Sequence, residues 1–137
     1  MGASLHYAGG SGSGLIYIGH DSGNIVNDVT ETTIATVSIP ANLVKNQIII
    51  TADCVAMGTA TYGRFRVKVG ALGSEVEKVV LPFQSAATNT TYGIAQAIVY
   101  VDDSETWTNT LSVIVTAQMT VAAATNIYST RLVVVGN

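Results

Sequence analysis

Charge is what this chain has least of. Only 11% of its 137 residues are charged, 6 Lys and Arg against 9 Asp and Glu, where about 25% is usual for a soluble domain. Six basic residues in a chain of net charge −3 are too few for the broad cationic face that phosphate neutralisation needs, so nucleic acid is set aside as a partner. A single cysteine, Cys54, rules out an intramolecular disulfide; within an apolar run it reads as a small buried hydrophobe, not a reactive thiol. His6 and His20 are the two histidines, and neither has an acid and a nucleophile near it in sequence. No catalytic constellation, metal-ligand cluster or phosphate loop emerges, and the expectation is a protein with no enzymatic activity and no cofactor. No apolar run reaches the length of a membrane span, and the first residues lack the basic and apolar pattern of a secretory leader. A membrane is therefore not expected among its partners.

β-branched residues are what the chain has instead. Valine, isoleucine and threonine make up 47 of the 137 residues, and these types lose rotamer freedom in helices but pack well on pleated sheets. The alternation of apolar and polar residues confirms the class. Thr33 to Ile39 places Ala35, Val37 and Ile39 on one side and Ile34, Thr36 and Ser38 on the other, until Pro40 ends the strand. Gln47 to Ala56 carries Ile48, Ile49 and Ile50 consecutively and reads as a central strand covered on both faces. Thr61 to Val69 sets Phe65, Val67 and Val69 against Arg64, Arg66 and Lys68, with Glu75 and Glu77 on the next strand as possible partners. Leu111 to Val121 alternates over its whole length.

About eight strands of this kind follow one another with short turns and no convincing helix. That number and spacing predict an all-β fold, an antiparallel jelly-roll-like sandwich over residues 15–137. Residues 1–14, rich in glycine and serine, read as a flexible N-terminal arm with Leu5, His6 and Tyr7 as its anchor on a neighbouring subunit.

Four groups of side chains are candidates for contact with something else. Arg64, Arg66 and Lys68 hold half of the basic residues on one strip, suited to an acidic partner surface. Asp102, Asp103 and Glu105 offer hard oxygen ligands that could hold Ca²⁺, although EF-hand spacing is missing and a solvated acidic turn is the simpler reading. Trp107, Tyr92 and Tyr100 could stack on a glycan, the plainer role of the tryptophan being a lid on the core. His20 and Asp21 read as part of a polar loop.

The segment Asn27 to Asn42, NDVTETTIATVSIPAN, followed by an apolar strand and then by FRVKVG, resembles a module of structural proteins from tailed viruses of bacteria and archaea. There it appears as TTETTLASVTIPA leading into a small jelly-roll domain of capsid decoration, head-fibre or tail-associated proteins. The resemblance covers Asn27 to Gly70, and Asn42-Leu43-Val44-Lys45-Asn46 stands where the family has a glycine-containing turn. It implies a non-enzymatic virion protein, a homotrimer associated with a major capsid protein, and it carries over no catalytic residues. The alternatives are a glycan- or receptor-binding module at a fibre or tail tip, and a filament subunit that donates its arm as a strand to the next copy.

Overall fold

The computed structural model describes residues 3–8, 15–21, 24–26, 30–59, 61–100, 107–120 and 125–137. All regular structure there is strand: β1 (Ala3–Ala8), β2 (Leu15–Asp21), β3 (Asn24–Val26), β4 (Thr32–Ile39), β5 (Gln47–Gly58), β6 (Tyr62–Ala71), β7 (Val76–Gln84), β8 (Thr90–Tyr100), β9 (Leu111–Met119) and β10 (Thr125–Gly136). One sheet has the order β1-β2-β10-β5-β8, with β3 also on β10, and the other has the order β4-β9-β6-β7. All pairings are antiparallel. Without the short β3 and the outermost β1, the eight strands expected from sequence remain, and they wind first-eighth-third-sixth in one sheet and second-seventh-fourth-fifth in the other. This is a jelly roll.

The core lies between the two inner faces. β6 contributes Phe65, Val67 and Val69, and β9 contributes Leu111, Val113, Val115, Ala117 and Met119, all at most 2% exposed. Against them stand Ile48, Ile50, Ala52, Cys54 and Ala56 of β5 with Leu132 and Val134 of β10, in one continuous cluster. Phe65 stacks on Phe83 at 4.1 Å between ring centroids, and Tyr92 meets the edge of that pair at 5.5 Å from Phe83. Beside them Gly63 has no room for a side chain, since a Cβ would lie 2.7 Å from the Phe83 ring and 2.8 Å from the Gln118 carbonyl oxygen.

Several expectations change in the folded chain. Ile34, placed by simple alternation with Thr36 and Ser38, is fully buried. The β4–β9 register shifts between Thr33 and Ala35, and this bulge turns two consecutive residues inward. β5 is central but covered on one face only: Ile48 and Ile50 are buried, Ile49 is partly exposed and Thr51 and Asp53 are open. The arm read as flexible holds a strand, β1, paired from Ala3 to Ala8 with β2 of its own chain, because a free sheet edge is a ready partner for any extended segment beside it.

The turn before β5 depends on Asn42, whose φ of 64° puts it in the left-handed region. Asparagine tolerates that conformation better than other residues with a Cβ. It thus takes a conformation for which glycine is the usual residue. The Asn42 N–H donates to the Trp107 carbonyl at 3.1 Å, and the Lys45 and Asn46 N–H groups donate to the Asn137 carbonyl at 2.9 and 2.8 Å.

Phe65→Ala is expected to cost about 3–5 kcal/mol in chemical denaturation, the range for emptying a buried aromatic site. Asn42→Gly should leave the melting temperature nearly unchanged while Asn42→Val lowers stability by about 1–3 kcal/mol; equal melting temperatures for the two variants would show that the turn does not need the left-handed residue.

Candidate functional site

The two outer faces differ in kind. On the outer face of the β4-β9-β6-β7 sheet, the register sets Arg66 beside Thr116 of β9 and Val80 of β7, and Lys68 beside Ile114 and Glu77. Arg66 Nε donates to Glu77 Oε1 at 2.8 Å and its Nη1 donates to Gln118 Oε1 at 2.6 Å. Glu31, just before β4, lies 3.8 Å from Arg66 Nη1 and 3.5 Å from Lys68 Nζ, and accepts the Thr116 hydroxyl at 2.7 Å. Thr116 is 2% exposed although it points outward, because long side chains at its sides lie over it. Partial burial pushes the Glu31 carboxyl upward, but the Thr116 hydroxyl, Lys68 and Arg66 outweigh it and hold the group below its ordinary value.

Two of the three cations proposed for partner contact are therefore engaged inside the chain. Arg64 is the exception, with no carboxylate partner among the described residues. It lines a recess of about 250 Å³ with Gln118, Met119 and Thr120. Glu31 and Gln118 escaped the sequence reading. Glu31 belongs to the TETT segment that opens β4, but nothing local shows that β9 and β6 will bring it to Arg66.

The stacking trio is not assembled. Tyr92 belongs to the core, its hydroxyl donating to the Gln84 carbonyl at 2.8 Å. Trp107 is partly buried against the same core, with its Nε1 buried and without an acceptor. Tyr100 is 51% exposed, opposite Gln47 on β5. Asp102, Asp103 and Glu105 lie outside the described residues, and among the described residues no group of three acidic, histidine or cysteine side chains could hold a metal. His20 and Asp21 end β2 on opposite faces, the first exposed and the second buried. Cys54 is 1% exposed, and burial, with the Asp53 charge added, pushes its thiol up to about 12.

The outer face of the other sheet carries an apolar row where β8, β5 and β10 adjoin. Ile98, Ile49, Val135, Ile16 and Tyr7 occupy one row of the register over five strands. Ile98 is 52% exposed and Val135 38%. The next row holds Gln96, Thr51, Val133, Ile18 and Leu5. Leu5 and Tyr7 thus stand in rows that extend this face, and His6 falls on the alternate register position. The described charges of the face are Asp53 and Arg131, which are register partners two rows from Ile98. This face thus exposes large apolar side chains, while the opposite one is charged and, apart from Arg64, internally paired.

Glu31 also gives a pH dependence. Its carboxyl is lowered in the fold from an ordinary 4.5, so its contribution is complete above that value and is lost as pH falls through the lower folded value. Melting temperature measured from neutral pH into the acid range should fall less steeply for Glu31→Gln than for the natural chain. Parallel curves would mean that the Glu31 cluster does not contribute to acid sensitivity.

No family model matches the chain, and no curated protein does. Solved structures do resemble it. The structure of infectious bursal disease virus, Gx strain, aligns with a TM-score of 0.55 at 7% identity over 100% of this chain and 32% of that one. The Gt strain aligns with 0.54 at 7% identity over 99% and 33%. The Eiger TNF of S. frugiperda aligns with 0.52 at 5% identity over 88% and 91%. The chain thus spans about a third of the viral chains and nearly all of the TNF chain. At these identities the likeness is one of fold, a jelly-roll sandwich.

Proposed function

We propose that this chain is a non-enzymatic structural subunit of a virus particle, a jelly-roll protein that decorates or builds the capsid by packing on copies of itself and on a major capsid protein. The observation that carries the proposal is the apolar row Ile98, Ile49 and Val135, turned outward over three adjacent strands from the β8 edge to β10 in a chain with 11% charged residues. A face of that composition is stable in water when something covers it. The Asn27 to Asn42 segment and the viral jelly rolls of similar fold support the same class of protein. A homo-oligomer on the virion surface follows, with three copies the number that the sequence resemblance implies.

The other readings have less to stand on. A glycan platform would need its aromatic side chains on one open surface, and Tyr92 and Trp107 are packed on the core. A filament subunit would need its arm free for the next copy, and β1 lies on β2 of the same chain.

Light scattering and native mass spectrometry on the full chain should give an oligomer at micromolar concentration, and Val135→Lys should raise the dissociation constant at least about ten-fold, the effect of burying an unpaired charge. A monodisperse monomer that Val135→Lys leaves unaffected sinks the proposal.

A further inference from the structure

The free sheet edges of this molecule are not equally protected. β7, at one edge of its sheet, carries Glu77, Lys78 and Pro82, and its register slips between Val67 and Lys68 of β6. Charge, proline and bulges are what keep an edge from pairing with another strand. β4, at the other edge of that sheet, packs along β2 and β10 of the opposite sheet. β8 has none of these protections along its second half. A bulge at Ile94 separates Thr90–Gly93 from Ala95–Tyr100, and the latter piece, Ala-Gln-Ala-Ile-Val-Tyr, has no charge, proline or glycine. Among the described residues it pairs with β5 on one side only. Six uncharged residues with a bare row of N–H and C=O groups form a segment that acquires a strand partner.

We propose that this edge of β8 pairs antiparallel with the same edge of a second copy, about a two-fold axis at Ile98. Self-pairing is favoured by charge, since no like charges meet along Ala95–Tyr100, whereas β7 laid on its own copy would bring Glu77 and Lys78 into such contacts. The axis must pass through a residue, because only then do outer faces meet outer faces across the two strands. At Ala97 it would set the 52%-exposed Ile98 against the amide of Gln96. At Ile98 it sets isoleucine on isoleucine, Ala97 on Val99, and Tyr100 over Gln96. The row Val135-Ile49-Ile98 of one copy then runs on into Ile98-Ile49-Val135 of the other, and two apolar faces become one. An isologous contact of this kind is closed by its own symmetry. It rests on the reading of the chain as a self-assembling subunit and adds a two-fold contact distinct from three-fold packing.

The test is disulfide trapping in the full chain. Directly opposed residues of antiparallel strands have Cα atoms about 4.5–5.5 Å apart, within disulfide reach, and the native Cys54 is buried and silent. Mild oxidation of Ile98→Cys should give a single cross-linked dimer, much faster than Tyr62→Cys, a 63%-exposed control on β6. Gln96→Cys should fail alone and succeed together with Tyr100→Cys. An oligomer in which Ile98→Cys links no faster than Tyr62→Cys overturns the edge contact and leaves the structural-subunit reading standing; that outcome includes pairing of β8 with β1 of the next copy. A chain that is monomeric throughout overturns both.

Discussion

Everything in this molecule depends on two sheet faces burying each other. Phe65, Val67 and Val69 of β6 and the inward row of β9 meet Ile48, Ile50, Leu132 and Val134 in one core without a buried ion pair among the described residues. Each strand gives that core every second side chain, so its other residues are committed to an outer face. The fold therefore fixes the chemistry of its surfaces as a by-product of its packing. What differs between the two outer faces is only what the sequence placed at the alternate positions.

Those positions have been used in opposite ways. Around β6 they hold Arg64, Arg66 and Lys68, with Glu31 and Glu77 brought to them from two other segments. Around β5 they hold Ile49, Thr51 and Asp53, and their neighbours are Ile98 and Val135. A domain with few charges has placed several of them where they neutralise one another. One outer face thereby carries charges paired within the chain, and the other exposes apolar side chains, an asymmetry consistent with the proposed subunit.

The eight long strands were legible because strict alternation over Thr61 to Val69 and Leu111 to Val121 has one structural meaning. Four irregularities were not legible. Bulges at Ile34, Lys78, Ile94 and Tyr128 reset the alternation, and a bulge is set by the partner strand as much as by its own residues. The run Ile48-Ile49-Ile50 suggested burial on both faces, but an exposed isoleucine and a buried one look alike in sequence; the difference is that the opposite sheet covers the face of Ile48 and Ile50 and not that of Ile49. The ion pairs of Glu31 join residues more than thirty positions apart, and Tyr92 and Trp107 were candidates for a binding surface because aromatic side chains serve cores and ligands equally well. Asn42 in the turn shows the reverse case, in which local chemistry permits a left-handed residue without a glycine.

β10 pairs with β2, β3 and β5, and so stands at the centre of its sheet while being the last described strand in the chain. β2 and β5 both precede β10 in the chain and pair with it. Forming those pairings closes loops of many tens of residues. Folding of this chain therefore rests on long-range pairing, which is slow, and until β10 is in place the edges it covers are open to pairing with other strands.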